Sequence, residues 1–360
     1  MEDVVVIGAG LSGLTAARQL HRSGYRVLVV DKSRGLGGRL ATRRLNHPLG
    51  TTAIDHGCRY LEPFNNASLS PIAALLADGV LQPWRPETFS LAAEGSLTST
   101  NPGTLYVAPQ GISAVAKALA PGLTIARHWR ATTLTPIPQG WRVAGESLSV
   151  GSQDASESAQ PNLIEARAVV IAIPAPQAAA LIDAAAQHHG GLREMQQQLE
   201  TVEFEAVITA IAGYSPHQST RLSAQDAPGG WLVTGDSHPT LRWVALDSSK
   251  RTDSKEPVVV VHSSAAFAAS NIDRFDLEQV GKDLLESAAE NLDPWLKIPE
   301  WMQVHRWRYG FVSKPLNSPA LSSSALPNLV GCGDWCEGGN AEGAIASGRQ
   351  AAKLIAQALE

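Results

Sequence analysis

The stretch Val4-Val-Val-Ile-Gly-Ala-Gly-Leu-Ser-Gly13, followed by Asp31 and then by Gly37-Gly38-Arg39 with Arg43-Arg44, decides the fold. Val4 to Ile7 are a short apolar, β-branched run, the mark of a buried parallel strand. Gly8 suits the tight turn after it, Gly10 leaves room for a pyrophosphate, and Gly13 lets the helix from Leu14 to Ser23 lie close on the strand. Leu11 and Ser12 sit where a helix N-terminus points unpaired N–H groups at phosphate. Gly24 stops the helix, and Arg26 to Val30 read as the second strand. Asp31 ends that strand, where a carboxylate can accept hydrogen bonds from both adenosine ribose hydroxyls. An acid at that point favours FAD or NAD over NADP.

The rest of the chain favours FAD. Lys32-Ser-Arg-Gly-Leu-Gly-Gly-Arg39 is glycine-rich and basic, suited to wrap a pyrophosphate a second time, with Lys32, Gly38 and Arg39 as candidate contacts. A plain NAD domain has no need of it. Near the far end, Asn328-Leu-Val-Gly-Cys-Gly-Asp334 reads as a strand ending in Gly333-Asp334, whose carboxylate suits a ribityl hydroxyl. Asn340-Ala-Glu-Gly-Ala344 then opens a final helix, and Glu342, Gly343 and Ala344 at its start suit charge developing on a reduced flavin ring. Ala131, in a later strand, joins the expected cofactor set.

The 360 residues imply about two domains. With 29 Lys and Arg against 34 Asp and Glu, the net charge is −5, which argues against nucleic acid or an anionic membrane as partner. No apolar run approaches the roughly twenty residues that span a bilayer, and a strand begins directly after Met-Glu-Asp; the expectation is a soluble, cytoplasmic protein without a signal peptide. Only three cysteines occur, Cys58, Cys332 and Cys336, too few for a secreted disulfide framework. The ten histidines show no ligand-like spacing, so no metal is expected. The oligomeric state cannot be read from the sequence.

The dinucleotide half reads as interrupted, with 1–62, 103–187 and 321–360 forming a discontinuous FAD-binding domain and 63–102 with 188–320 forming the substrate domain. Pro109 to Ala120 reads as a helix, Thr124 to Ile137 and Trp141 to Val150 as antiparallel strands, and Gly151 to Pro161 as a polar loop. Ala166 to Ile173 reads as a buried strand and Pro176 to Gln187 as a helix. In the second domain Val202–Gly213, Trp231–Thr234, Leu241–Ser248 and Pro257–His262 read as an antiparallel sheet, with one amphipathic helix over Asn271–Asn291. Trp307, flanked by Arg306 and Arg308, suits either core packing or stacking on a flat ligand.

Taken together, these segments resemble the renalase and renalase-like FAD oxidoreductases of the amine-oxidase clan. The resemblance rests on the N-terminal fingerprint, Asp55-His-Gly57-Cys-Arg-Tyr60, Arg242-Trp-Val-Ala-Leu-Asp-Ser-Ser-Lys-Arg251, Val259-Val-Val-His-Ser-Ser264, His305-Arg-Trp-Arg-Tyr309, Gly333-Asp334 and Glu342-Gly343. It implies an α/β fold, a Rossmann-like FAD-binding domain of the amine-oxidase and p-hydroxybenzoate-hydroxylase kind with an inserted α+β substrate domain. It further implies non-covalent FAD, with Asp55 and Gly57 running past the flavin ring. The substrate would be a small molecule, a dihydronicotinamide dinucleotide such as the 2- or 6-dihydro isomers of NAD(P), oxidised with O2 as acceptor and H2O2 as product. Tyr60 and Trp307 are assigned ring stacking and Arg308 an anion or amide contact, with no catalytic side chain beyond the flavin. The Trp after Gly333-Asp334, the 145–162 loop and the Trp-rich 295–307 segment depart from the pattern.

An amine or amino-acid oxidase of the same clan is the enzymatic alternative. Its water-holding lysine would have to be Lys250, whose Ser-rich, charged surroundings read as solvated. A non-catalytic, redox-sensing flavoprotein that binds nucleotide is the alternative of another class. A carotenoid-desaturase-like role would need a membrane-docking helix, for which no segment is evident.

Overall fold

The computed structural model describes the chain apart from residues 48–49, 149–161, 217–228, 252–253 and 255. The polar loop read at 151–161 therefore lies outside the described residues. Glu2–Ile7 forms the middle of the first sheet, parallel to Val27–Val30 on one side and to Leu163–Ile171 on the other. Val27–Val30 pairs in parallel with Thr124–Ala126, and Leu163–Ile171 with Leu329–Gly331 from the far end of the chain. Trp129–Ile137, Gly140–Ser147 and Leu163–Ile171 continue the sheet as an antiparallel run. The continuous apolar sequence of the inner strands follows from cover on both faces: Val4, Val5, Val6, Val169 and Val170 are all fully buried.

Helices Leu11–Arg22 and Ala341–Leu359 pack together on one face of this sheet. The close fit begins at the glycines. Gly8 has φ +113°, and a Cβ at Gly13 would stand 2.0 Å from the Gly8 carbonyl oxygen, so the helix can rise from the strand only without side chains there. Thr124 to Ile137, read as one strand, is two. His128, with φ +57°, turns the chain so that Thr124–Ala126 stays beside Val27–Val30 while Trp129–Ile137 swings to the opposite edge.

The second sheet has seven strands in the order Trp301–Lys314, Glu203–Gly213, Val258–Ser263, Leu241–Leu246, Trp231–Thr234, Glu87–Leu91, Leu97–Thr100. Its last two strands come from the 63–102 stretch. Leu277–Asn291 packs Leu284, Leu285 and Ala288 on one face, against Val259 and Val261.

The helix read over 271–291 begins at Leu277 instead, and Asn271 ends a separate, unanticipated helix, Ala265–Asn271. Each starts on a side-chain cap: Ser264 accepts from the Phe267 N–H, and Asp276, between the two helices, accepts from the Gln279 N–H. Gly190–Glu200, not anticipated as a helix and assigned by sequence to the substrate domain, buries Leu192, Met195 and Leu199 in the core under the first sheet. No helix among the described residues is long and apolar enough to cross a membrane.

Candidate active site

Two glycine loops lie one upon the other. The Gly37 N–H donates to the Ala9 carbonyl at 2.9 Å, and Gly10 and Gly37 form a parallel bridge. Asp31 braces the first loop, accepting from the Ala9 N–H at 2.7 Å with one oxygen and from the Ser33 N–H at 2.7 Å with the other. Gly10 caps the first helix without a side chain, and a Cβ built on Gly10 meets nothing within 4 Å. An open approach to backbone donors beside a partly exposed carboxylate fits the pyrophosphate and ribose of a dinucleotide. Lys32 and Gly38 are exposed nearby, and Ala131 is half-buried just after Trp129, whose N–H donates to the Asp31 carbonyl.

The far end of the sequence reaches the same place. Arg39 donates to Asp334 at 2.5 Å and to the Gly310 carbonyl at 3.3 Å. The Cys58 N–H bonds the Arg39 carbonyl at 2.7 Å, which lays the 55–60 segment alongside. Gly57 is pinched between them: a Cβ there would be 2.2 Å from the Arg39 carbonyl oxygen and 3.1 Å from the Trp307 ring. The Trp307 indole N–H donates to the His56 carbonyl at 2.9 Å, and the rings of Trp307 and His56 are stacked with centroids 5.3 Å apart. His305 stands edge-on to both, at 4.5 and 4.8 Å.

The structure thus brings Arg39, Gly57, Trp307 and Asp334 together, and it does not bring all the expected residues with them. Arg308 follows Trp307 on a strand, so it points to the opposite face, where it meets Asp273 at 2.7 Å. Tyr60 joins a different aromatic group, tilted against Trp84 at 6.2 Å with the Arg59 guanidinium over its ring.

Asp55 is fully buried and its oxygens are taken by the Thr42 hydroxyl, the Ile112 N–H and Arg251, so it holds protein rather than cofactor. Glu342 receives the N–H groups of Asn65 and Asn66, and the Gly343 and Ala344 N–H groups are turned back to Asn340. Two N–H groups of that helix start are therefore used by its own cap and first turn. The Gly333 N–H is likewise taken, by the Ser347 hydroxyl at 3.1 Å.

Lys250 reverses the sequence reading. It is fully buried, with Nζ 2.7 Å from the Arg59 carbonyl, 2.6 Å from Asp247 and 3.8 Å from Asp55. With Arg251 these residues make a buried ion network linking the start of the 55–60 segment to Asp247–Lys250 of the second sheet. Burial alone would raise the Asp247 carboxyl, but Lys250 and Arg251 outweigh it and hold it below the usual carboxylate range. Sequence reasoning missed Asp247, His56 and His305. Burial, then the charges of His305 and Arg43, push the His56 imidazole down to about 3, so it is neutral. Cys332 and Cys336 are buried free thiols pushed up to about 12 by that burial, unlike a reactive pair.

Comparison with known proteins agrees with this geometry. Residues 6–76 match the NAD(P)-binding Rossmann-like domain, and residues 76–356 match the flavin containing amine oxidoreductase family, to which the chain belongs. The lysine-specific histone demethylase 1 homolog 1 of Arabidopsis thaliana is 44% identical over 75 residues, 21% of this chain and 9% of that protein. The L-amino acid dehydrogenase of a Synechocystis strain is 41% identical over 68 residues, 19% of this chain and 14% of that protein. These matches span only a small part of the relatives' length. Among solved structures, the cyclohexylamine oxidase of Brevibacterium oxydans superposes with a TM-score of 0.68 at 14% identity, over 99% of both chains. A putrescine oxidase bound to putrescine superposes at 0.66 and 15% identity, also over 99% of both. At such identities the likeness carries the fold. The chain therefore belongs by family and fold with the flavin containing amine oxidoreductases, and its glycine loops at 8–13 and 37–38 fall within the Rossmann-like match.

Asp31→Ala is expected to weaken FAD binding at least about tenfold, because a hydrogen bond to a charged group is worth roughly 1.5–3 kcal/mol. Fluorescence titration of the apoprotein checks this; unchanged affinity would remove Asp31 from the ribose site.

Proposed function

We propose that this chain is a renalase-like oxidoreductase that takes a hydride from a dihydronicotinamide dinucleotide, the 2- and 6-dihydro isomers of NAD(P) being the first candidates, with O2 as final acceptor and H2O2 as product. The observation that carries the reading is the engagement of Lys250. Its ammonium is bonded to Asp247 and to the Arg59 carbonyl, with Asp55 beside it, which leaves it poorly placed to hold a water for amine chemistry. Hydride transfer from a dihydropyridine asks for no side-chain base or nucleophile. Bound FAD would supply the hydride acceptor and the route of electrons to O2. The chain's own contribution is placement: the stacked Trp307 and His56 rings offer a flat face against which a planar ring can be held.

The second reading, an amine oxidase, is favoured by the family.

Anaerobic mixing of the purified yellow protein with each candidate separates the two. The dihydronicotinamide isomers are expected to bleach the flavin absorbance much faster than ordinary NADH, and admission of air to restore it with peroxide formed. Rapid bleaching by a primary amine, with none by the isomers, would replace this reading with the second.

A further inference from the structure

A cleft of about 410 Å³ is lined by Arg34, Thr42, Arg43, Arg44, Leu45 and His56. Among the described residues no acidic side chain lines it, although the chain as a whole carries an acidic excess of five. Elsewhere Arg39, Arg130, Arg142, Arg242, Arg251 and Arg308 each meet a carboxylate. Here the side chains of Arg34 and Arg43 make no ion pair or hydrogen bond among the described residues, and Arg44 reaches only the Gln110 carbonyl, at 3.1 Å. Guanidinium groups converging on one concavity repel one another, and the potential they raise is relieved by an anion; their planar donor forks match phosphate oxygens in pairs.

The floor of the cleft is His56, 7% exposed, whose Nδ1 is buried without a hydrogen-bond partner. That imidazole carries the cleft to the stacked Trp307 ring. Arg34 comes from the glycine-rich 32–39 stretch, but none of Gly10, Leu11, Ser12, Gly13 or Gly38, which cradle a dinucleotide at the glycine loops, lines the cleft.

We propose that this cleft is an anion subsite for the substrate, taking the diphosphate of a dinucleotide whose planar ring lies toward Trp307. The identity of the ligand rests on the dihydronicotinamide reading, whereas the preference for an anion rests on the three arginines alone. By the same charge, the cleft disfavours a cationic amine.

The test uses the FAD-loaded protein with ADP and inorganic pyrophosphate as probes in calorimetric titration. Both are expected to bind saturably and more weakly as salt rises. Arg43→Gln combined with Arg44→Gln should weaken them about tenfold or more, with FAD content unchanged. Arg43→Lys with Arg44→Lys, which keeps the charge and loses the paired donors, should fall between. Absence of binding, binding untouched by the glutamine pair, or loss of FAD along with binding would overturn the proposal, the last by giving the cleft to the cofactor. If the probes bind as expected while no dihydronicotinamide reduces the flavin, the subsite stands and the substrate reading falls. If the isomers reduce the flavin while neither probe binds, the reverse holds.

Discussion

Asp55→Ala is expected to destabilise the folded protein by about 3–5 kcal/mol, the cost of breaking a buried ion pair by removing one partner. The carboxylate is fully buried and takes Arg251 at 2.9 Å, the Thr42 hydroxyl at 2.8 Å and the Ile112 N–H at 2.8 Å. Without it, Asp247 alone must neutralise both Lys250 and Arg251, and two further donors lose their acceptor. Urea unfolding followed by tryptophan fluorescence measures the loss. The double variant Asp55→Ala/Arg251→Met should lose less than the sum of its parts, since it removes the orphaned charge together with its partner. A single-variant loss below about 1 kcal/mol would mean that water reaches the network and the pairs are dispensable.

Acid should unfold the protein early, in the range where histidines rather than carboxylates titrate. Burial, His305 and Arg43 push His56 down to about 3, while burial lowers His305 and takes His262 well below the ordinary value of 6.5. The sign follows from proton counting. The unfolded chain binds protons at these three sites as pH falls through about 6.5, and the folded chain binds them only at lower pH, so stability is complete above about 6.5 and falls below it, at His56 progressively toward 3. At about 1.4 kcal/mol per unit, His56 alone could contribute roughly 4–5 kcal/mol over the full span, as an upper figure. Unfolding free energy should therefore decline between pH 6.5 and 5, and His56→Gln should flatten that decline. A profile level from pH 7 to 5 in the parent protein would show that the imidazoles protonate without unfolding it.

The dinucleotide half was legible because its signals are local. Gly8, Gly10 and Gly13 act on their own strand and helix, and Asp31 lies at the end of the next strand, so spacing alone states the geometry. The pairing of Arg39 with Asp334, across 295 residues, was only implied by two cofactor-like segments at opposite ends. The buried charges were illegible for a different reason. Ser248-Ser249-Lys250-Arg251 has the composition of a surface turn, and its burial depends on Asp55 and Arg59 arriving from nearly 200 residues earlier. At Glu342 and Asp55 the acids were visible in the sequence, whereas the protein groups that bond them were not. Arg308 is a miss the sequence could have prevented, since strand alternation sets neighbours on opposite faces and Trp307 could not share a pocket wall with it. The break between Ala265–Asn271 and Leu277–Asn291 was also signalled, by Asp276 as a cap residue.

Because Leu329–Gly331 pairs with Leu163–Ile171 and delivers Asp334 to Arg39, the cofactor grip joins segments made 295 residues apart. A nascent chain still held short of residue 334 can form the first βαβ unit but has no acid for Arg39, and one edge of the Leu163–Ile171 strand lacks its partner. Completion of the grip thus waits for residue 334, and the window before it is when an unpaired parallel strand edge is open to chaperones or to aggregation.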